Sequence, residues 1–256
     1  MTVLDEIIAG VREDLQARKL LMPNLAEAMS ITPTPIDALT RFTPGPLHVI
    51  AEVKRASPSK GNLAEITDPA LLAQNYVHGG ATAISVLTEQ RRFKGSLEDF
   101  REVRAAVDVP MLQKDFIVDA YQIQEGFVNG ANLFLLIVAA LNENDLHEFF
   151  EYGQSFGLRA LVEVHNIEEL ERAKRLKPNF IGVNSRNLKD LSVDLQVFEE
   201  LIPQVGSGIV AVAESGITDR HETKRLEELG AGAILVGEVL VKSKDPGAMI
   251  RELRGI

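Results

Sequence analysis

Cysteine is absent from this 256-residue sequence. Without thiols the chain cannot form disulfides, iron–sulfur clusters, cysteine zinc sites or a thiolate nucleophile. Basic residues are also scarce, because 27 Lys and Arg stand against 37 Asp and Glu, which gives a formal net charge of −10. A broad nucleic-acid surface needs a basic face, so we expect no nucleic-acid partner, although a local group of cations could still bind a small anion.

Long hydrophobic runs are missing as well. The longest, Leu133–Leu141, is much shorter than the roughly 20 residues that a membrane helix requires. Residues 1–15 are acidic and amphipathic, and they lack the apolar core of a signal peptide. The sequence therefore predicts a soluble cytoplasmic protein that does not bind membranes, and it leaves protein partners undetermined.

From residue 47 onward, short apolar runs alternate with longer amphipathic segments. Near-continuous apolar strands separated by helices are typical of a parallel sheet buried on both faces. Eight such repeats favour an α/β fold of the (β/α)8 TIM-barrel type over an open doubly wound sheet, and no Gly-x-Gly-x-x-Gly motif follows the first run. The eight runs are Val49–Val53, Thr82–Leu87, Val109–Gln113, Asn132–Ile137, Arg159–Glu163, Phe180–Asn184, Ile209–Ala213 and Ala233–Val236.

Residues 1–46 lie outside this alternation. An apolar stripe at helical spacing, formed by Leu4, Ile7, Ile8, Val11 and Leu15, is followed by a proline-containing segment. A helix with such a stripe needs a surface on which to bury it. We therefore interpret residues 1–256 as one (β/α)8-barrel domain, with residues 1–46 as an N-terminal helical extension packed on the barrel. A flexible linker is the alternative.

Polar side chains stand where several predicted strands end. Side chains two positions apart share a face of a strand, so Glu52 and Lys54 both point to the barrel axis if Ala51 and Val53 face the helices. Active sites of such barrels lie at this end of the strands. Buried unpaired charges are costly, so the group is either a structural ion-pair network or, as we favour, a functional site. The other members are Lys114, Glu163, Asn184, Arg186 and Glu214.

Glycines directly follow the seventh and eighth predicted strands. They stand in the segments Glu214-Ser215-Gly216-Ile217 and Leu235-Val236-Gly237-Glu238. In many barrels these two loops hold a phosphate through backbone N–H groups, and glycine allows the backbone to approach the anion closely. We expect an anion site here, with two ordinary tight turns as the alternative.

A metal site is not expected. The five histidines, at positions 48, 78, 147, 165 and 221, show no ligand spacing. Three carboxylates at the strand ends, Glu52, Glu163 and Glu214, could in principle hold Mg²⁺. Lys54, Lys114 and Arg186 supply competing positive charge at the same place.

Six segments of the sequence resemble indole-3-glycerol-phosphate synthases, and the likeness extends over essentially the whole chain, including the length of the N-terminal extension. The first two segments are highly specific for that family. The last two are glycine loops that many phosphate-binding barrels share. The segments are Ile50–Gly61, Gln113–Val118, Leu161–His165, Gly182–Leu188, Ala213–Ile217 and Leu235–Glu238.

The resemblance implies conversion of 1-(2-carboxyphenylamino)-1-deoxyribulose 5-phosphate into indole-3-glycerol phosphate, with release of CO2 and water. No cofactor is implied, because the carbonyl group of the substrate is the electron sink. Lys114 matches the general acid of the family and Glu163 its general base. Lys114 is a plausible acid if the neighbouring Lys54 and partial burial lower its pKa. Lys54 matches a residue that holds substrate anions, and Glu52, Asn184 and Glu214 match residues that orient the lysines and sugar hydroxyls.

The resemblance also implies a set of substrate-binding positions. The pocket for the anthranilate ring and its carboxylate corresponds to Ser57, Phe93, Leu135, Leu188 and Leu235. Positions at the end of strands 6 to 8 correspond to Arg186, Ser215, Gly216, Gly237 and Glu238. Two departures stand out: Arg91 and Arg92 add charge just before Phe93, and the Glu238 carboxylate would repel a phosphate, so contacts there must come from backbone groups.

Two other functions remain open. One is a different phosphosugar enzyme of barrel fold, such as an isomerase or a Schiff-base aldolase that uses Lys114. The other is a non-catalytic, anion-binding barrel, which leaves Glu52 and Glu163 unexplained.

Overall fold

Eight parallel strands form a closed barrel in a computed structural model that describes residues 2–22 and 24–256. Each strand lies beside the next one in the chain, and the last strand pairs with the first. The strands are β1 (His48–Val53), β2 (Ala83–Leu87), β3 (Met111–Lys114), β4 (Leu133–Ile137), β5 (Arg159–Val164), β6 (Phe180–Asn184), β7 (Val210–Glu214) and β8 (Ala233–Val236). The predicted (β/α)8 TIM-barrel fold is confirmed, and each strand begins and ends within two residues of its predicted limits.

Helices connect the strands and form the outer layer of the barrel. Most of them begin at an Asp, Asn or Ser whose side chain accepts a hydrogen bond from a backbone N–H of the first turn, as Asp68, Ser96 and Asn166 do. The helices are α1 (Val3–Leu21), α2 (Ala26–Ile31), α3 (Pro69–His78), α4 (Leu97–Ala106), α5 (Ala120–Val128), α6 (Glu143–Ser155), α7 (Ile167–Arg175), α8 (Gln196–Leu201), α9 (Arg220–Leu229), α10 (Glu238–Val241) and α11 (Pro246–Arg254). Three 3₁₀ segments, Ala38–Arg41, Val138–Ala140 and Ile202–Gln204, and a short antiparallel pair, Ala56–Ser57 with Gly61–Asn62, complete the fold.

The alternation of side chains along each strand divides the core into two parts. In β1, Val49, Ala51 and Val53 pack with residues of the surrounding helices, whereas Ile50 lies in the cluster inside the barrel. Glu52 shares the face of Ile50 and lines the cavity at the barrel mouth. The predicted orientation of this strand is therefore confirmed, and it is what brings polar side chains to the axis.

The N-terminal residues contact both ends of the barrel. At the carboxyl end of the strands, Leu4, Ile7 and Val11 of α1 belong to the same buried cluster as Phe116 and Leu135. At the opposite end, the ring of Phe42 lies 5.0 Å from the ring of Phe180 and 5.1 Å from that of His48, measured between centroids. Arg159 and Asp37, 2.8 Å apart, add an ion pair at that end. No helix within residues 2–22 and 24–256 is both long and apolar enough to cross a membrane.

Candidate active site

A cavity of about 670 Å³ opens at the carboxyl ends of the barrel strands. All sixteen residues to which the sequence assigned a catalytic or substrate-binding role line it. They are Glu52, Lys54, Ser57, Phe93, Lys114, Leu135, Glu163, Asn184, Arg186, Leu188, Glu214, Ser215, Gly216, Leu235, Gly237 and Glu238. The structure thus brings the predicted site residues together, while the role of each one stays a prediction.

Lys114, the last residue of β3, lines the cavity and contacts two carboxylates. Its Nζ lies 2.7 Å from Oε2 of Glu163 on β5 and 2.7 Å from Oε2 of Glu214 on β7. Its side chain is only 12 % exposed, and both carboxylates are 2 % exposed. A strand carries its inward side chain at a fixed height, so the parallel register of the barrel makes these three groups meet.

The carboxylates around Lys114, and not the neighbouring Lys54, determine the direction in which its pKa shifts. Burial lowers the pKa of Lys114, but the negative charges of Glu163, Glu214 and Glu52 outweigh burial and raise that pKa above its ordinary value. The expectation that Lys54 and burial depress this pKa is therefore wrong. The physical reason is that Lys54 pairs with Glu52, which screens its charge, while Lys114 has two carboxylates in contact.

The two carboxylates that contact Lys114, those of Glu163 and Glu214, differ in pKa. Burial raises the pKa of Glu163, but the charge of Lys114 and a contact with His165 hold that pKa well below its usual range. Burial raises the pKa of Glu214 to about 8; the attraction of Lys114 opposes this shift and the negative charge of Glu163 adds to it. One ammonium cannot fully stabilise two carboxylates in contact with it, so Glu214 binds a proton more readily than Glu163 does.

Glu163 is held by the amide of Asn184, on the neighbouring strand β6, and by the ammonium of Lys114 on β3. Nδ2 of Asn184 donates to Oε1 of Glu163 over 3.0 Å, and the backbone N–H of Arg186 donates to Oδ1 of Asn184 over 3.0 Å. Asn184 is thereby fixed with its nitrogen toward the carboxylate. The arrangement leaves Oε2 of Glu163 on the side of Lys114 and the cavity.

Glycines at two positions leave room for carboxylates of the site. A Cβ atom on Gly182, in β6, would overlap Oε1 of Glu214. A Cβ atom on Gly237 would lie 2.6 Å from Oε1 of Glu52 and 3.0 Å from its Cβ. From the sequence, Gly237 is expected either to allow a close approach of phosphate or to form an ordinary tight turn. Packing against Glu52 is a second and independent reason for this glycine.

The corner of the cavity beside β7 and β8 has the features expected of an anion site. Ser215 and Gly216 both adopt left-handed backbone conformations, with φ of 69° and 74°. Oγ of Ser185 donates to the carbonyl oxygen of Ser215 over 3.1 Å and so stabilises this turn. Sequence reasoning missed Ser185, although it lies inside the segment that resembles the family.

Two lysines that sequence reasoning missed neutralise the carboxylate of Glu238. Nζ of Lys60 and Nζ of Lys242 each lie 2.7 Å from Oε1 of Glu238, and all three residues line the cavity. The spacing of Lys242, the C-cap of α10, four residues after Glu238 was the signal that could have revealed half of this arrangement. The corner therefore carries net positive charge despite Glu238.

Apolar side chains form one wall of the cavity. The rings of Phe93 and Phe116 lie 5.9 Å apart, and Leu4 and Ile7 of α1 contribute to the same wall with Leu135. Sequence reasoning identified Phe93 and Leu135 but not the other three. The stripe on α1 indicated that Leu4 and Ile7 are buried, but it could not indicate where.

The loop that carries Phe93 is organised by one buried carboxylate. Glu89 accepts hydrogen bonds from the backbone N–H groups of Arg91, Arg92 and Phe93 over 3.1, 2.7 and 2.8 Å. The two arginine side chains turn away toward α1, where Arg91 contacts Asp14 at 2.7 Å and Arg92 contacts Glu6. The two extra charges in this loop thus lie outside the lining of the cavity.

No cluster of three or more His, Asp or Glu side chains in the described ranges 2–22 and 24–256 has the arrangement of a metal site. The carboxylates that sequence analysis considered for Mg²⁺ are Glu52, Glu163 and Glu214. They are in contact with Lys54 and Lys114 instead.

Two solved structures share the fold of this chain but are distant from it in sequence. A 3-hexulose-6-phosphate synthase from Salmonella typhimurium matches with a TM-score of 0.64 and 13 % identity, over 82 % of this chain and 97 % of that one. A thiamine phosphate pyrophosphorylase from Pyrococcus furiosus matches with a TM-score of 0.61 and 18 % identity, over 82 % and 94 %. At this identity the likeness establishes the barrel fold alone.

Comparison of the sequence is much more specific. An indole-3-glycerol phosphate synthase of a Nocardioides species is 51 % identical over 258 aligned positions, which cover 100 % of this chain and 99 % of the relative. The enzyme of that name from Streptomyces griseus is 50 % identical, over 99 % and 95 %. The sequence profile of the indole-3-glycerol phosphate synthase family matches residues 4–253. The chain belongs to the indole-3-glycerol phosphate synthase family, the carboxy-lyases of tryptophan biosynthesis.

Proposed function

We propose that this protein converts 1-(2-carboxyphenylamino)-1-deoxyribulose 5-phosphate into indole-3-glycerol phosphate, with Lys114 as general acid and Glu163 as general base. The observation that carries the assignment is the position of the Lys114 ammonium, 2.7 Å from both Glu163 and Glu214 at the floor of the cavity. A proton donor and a proton acceptor thus reach the same small volume, as ring closure and dehydration require.

The two sides of the cavity suit the two halves of this substrate. The apolar wall of Phe93, Phe116 and Leu135 fits the aromatic ring, and the corner with Lys60 and Lys242 fits the phosphate. Lys54, which also lines the cavity and pairs with Glu52, is the cation that we assign to the carboxylate that later leaves as CO2. The substrate class we propose is therefore a phosphosugar joined to an anthranilate.

Ring closure is the first bond-making step. Lys114 gives a proton to the ribulose carbonyl oxygen while the ring carbon that bears the carboxylate attacks the carbonyl carbon. Because its pKa is raised, Lys114 is protonated at neutral pH, so the acid is present in the resting site. Loss of CO2 then returns an electron pair to the ring and restores its aromatic character.

Dehydration completes the indole. The new hydroxyl group leaves as water after it receives a proton, which either Lys54 or a reprotonated Lys114 can supply. Glu163 removes the proton from the adjacent carbon, and the electron pair of that C–H bond forms the indole double bond. Glu163 is suited to this step because its low pKa keeps it ionised until then.

Glu52, Asn184 and Glu214 support these groups without taking part in bond changes. Glu52 holds Lys54, Asn184 orients Glu163, and Glu214 supplies a second acceptor to Lys114. In this proposal the remaining contacts with the substrate come from other residues that line the cavity. They are Ser57, Arg186, Leu188, Leu235, Ser215, Gly216, Gly237 and Glu238. No step needs a cofactor. A biosynthetic enzyme for a phosphorylated metabolite is expected in the cytoplasm, and we propose that compartment.

A fluorescence assay tests the proposal. Adding the carboxyphenylamino-deoxyribulose phosphate to the purified protein should produce indole-type fluorescence, and Lys114→Ala should abolish most of it. Lys174→Ala, which changes a partly exposed lysine on α7 outside the lining of the cavity, is the matched control and should keep full activity. Phosphate binding without turnover in the unsubstituted protein would favour a non-catalytic barrel. A borohydride-stable adduct on Lys114 would favour a Schiff-base aldolase.

A further inference from the structure

A row of three ionisable groups extends from Glu163 away from the cavity. Nε2 of His165 lies 3.3 Å from Oε1 of Glu163, and Nδ1 of His165 lies 2.9 Å from Oε2 of Glu169. The side chains of these three residues are 2, 11 and 15 % exposed, in the order Glu163, His165, Glu169. Glu163 lines the cavity, whereas His165 and Glu169 do not. His165 therefore contacts the proposed base from the side that the substrate does not occupy.

The start of α7 fixes the outer member of this row. Asn166 caps the helix: its Oδ1 accepts from the backbone N–H of Glu169 over 2.9 Å, and its Nδ2 donates to Oε1 of Glu169 over 2.8 Å. Oε2 of Glu169 accepts in turn from the backbone N–H of His165 over 2.9 Å. This reciprocal cap accounts for Glu169 and Asn166 but does not need the imidazole ring. The ring of His165 thus remains without a structural reason of its own.

The charge of His165 follows from its two neighbours. Burial lowers the pKa of His165, but its contacts with Glu163 on β5 and Glu169 on α7 raise that pKa to about 9. Nε2 is buried, and no acceptor in the described parts of the chain is aligned with it as a hydrogen bond, although Glu163 is close. Two further groups face Glu163: Asn184 from β6, which is neutral, and Lys114 from β3. His165 is therefore a second positive charge on the proposed base.

The proposed reaction creates a need for this second charge. When Lys114 gives its proton to the substrate, Glu163 loses the cation at 2.7 Å that keeps it ionised. A buried carboxylate without a counter-charge binds a proton readily, and a protonated Glu163 could not act as the base in dehydration. Asn184 cannot replace the lost charge because its amide is neutral.

We propose that His165, oriented by Glu169, is a positioning residue that keeps Glu163 ionised and in place between ring closure and dehydration. The proposal rests on the assignment of Glu163 as general base. His165 exchanges no proton with the substrate and forms no covalent bond in this role. It acts through Glu163 alone, on the face of the carboxylate that is turned away from the cavity.

The pairing can be tested without any activity measurement. An NMR titration of the His165 imidazole should give a pKa of about 9 in the unsubstituted protein. The value should fall in Glu163→Gln and also in Glu169→Gln, which keeps an oxygen for the helix cap. A value near that of a free histidine in the unsubstituted protein would overturn the proposal. An unchanged value in Glu169→Gln would overturn the part assigned to Glu169.

The kinetic test separates the two stages of the reaction by rapid quench. His165→Gln should leave KM and the ring-closure rate near their unsubstituted values. It should slow dehydration about tenfold or more, because a tenfold change corresponds to a rise of one unit in the pKa of Glu163. A cyclised, decarboxylated intermediate should therefore accumulate. His147→Gln is the matched control, because His147 also lies near a carboxylate, Glu151, but on the exposed face of α6.

The outcomes distinguish this inference from the assignment of the base. Equal slowing of both stages, or dehydration within twofold of the unsubstituted enzyme, in a His165→Gln protein of unchanged circular dichroism overturns the role of His165. If Glu163→Gln also fails to slow dehydration selectively, the base itself is assigned wrongly. Should His165→Gln not fold, Glu169→Gln carries the same kinetic test, with a smaller selective slowing expected and its absence counting against the proposal.

Discussion

Gly182 lies directly against the carboxylate of Glu214: a side chain on this glycine would overlap Oε1 of Glu214, the oxygen that does not contact Lys114. The pair shows how the site depends on a residue with no chemistry of its own. Glu214 can contact Lys114 because β6 has no side chain at Gly182, where a Cβ atom would overlap the carboxylate of Glu214. The position of the proposed acid thus depends partly on β6, through Glu214.

Gly182→Ala should therefore displace Glu214 from Lys114. We expect a loss of about 1–3 kcal/mol in the free energy of unfolding, as is usual for overpacking, together with a lower kcat. Urea unfolding and the fluorescence assay measure the two effects. Gly232→Ala is the control, because the nearest atom to its Cβ would be Cγ1 of Val210, at 3.2 Å, and no carboxylate lies beside it. A Gly182→Ala enzyme with full activity would show that Glu214 is not needed where it stands.

The proposed acid and base should fail at different stages. Lys114→Ala removes the donor for ring closure and should lower kcat by ~10²–10⁴-fold, with unreacted substrate remaining bound. Glu163→Gln keeps the shape of the side chain but cannot accept a proton. That variant should close the ring, release CO2 and accumulate the hydroxylated intermediate, which rapid quench detects.

The contrary result is equally clear. If both variants stop with unreacted substrate, the acid and base do not act in separate stages. A single shared step, or Lys54 as the acid of ring closure, would then be the better account. Lys174→Ala is again the control for the general effect of a substitution.

The raised pKa of Glu214 has a consequence for stability. In the unfolded chain this carboxyl ionises near 4.5, and in the folded protein near 8, so folding favours the protonated form. The contribution of this group to stability is complete below about pH 4.5 and is lost as the pH rises to about 8. The Tm of Glu214→Gln relative to the unsubstituted protein should therefore increase over that range and then level off.

Thermal unfolding at a series of pH values measures this difference. Glu148→Gln, which changes an exposed carboxylate of α6, should show no such trend. A Tm difference for Glu214→Gln that is constant from pH 4.5 to 8, or that decreases, would mean that Glu214 is ionised in the folded protein at neutral pH.

The lysines at the anion corner should contribute to binding and not to chemistry. Lys60→Ala and Lys242→Ala should each raise KM and the inhibition constant of inorganic phosphate two- to fivefold or so, since exposed ion pairs contribute about 0.2–1 kcal/mol. Glu238→Gln frees both lysines and should lower the same inhibition constant. A fall in kcat with unchanged KM would place these lysines in the chemical step instead.

Gly237 is a poor probe of the same corner. A bulky side chain there would disturb Glu52, and with it Lys54, besides any bound phosphate. We therefore expect substitution of Gly237 to lower kcat as well as to raise KM. The lysine variants separate binding from chemistry more cleanly.

The sequence predicted the barrel and its site because both follow from local patterns. The eight apolar runs have the length and spacing of barrel strands, and inward side chains at their carboxyl ends must meet. These patterns predict that Lys114, Glu163 and Glu214 lie close together. It also oriented β1 correctly, since Glu52 and Ile50 share a face.

The parts that the sequence did not predict depend on distances between remote segments. The pKa of Lys114 is raised because β5 and β7 each bring a carboxylate to 2.7 Å, and no pattern within β3 reports this. Lys60 lies 178 positions from Glu238, so their pairing has no local signal. The burial of Leu4 and Ile7 was predictable from their spacing, but their location in the cavity wall was not.

The seam between β1 and β8 has a consequence for how the protein is made. His48 of the first strand pairs with Ala233 of the last, so one edge of β1 stays open until the other seven strands have been synthesised. An open strand edge invites pairing with other chains. Nascent chains on the ribosome thus expose β1 for almost the whole period of translation, and closure of the ring must follow synthesis of its final strand. Chaperone binding to stalled chains should accordingly decrease sharply once Val236 has left the ribosomal tunnel.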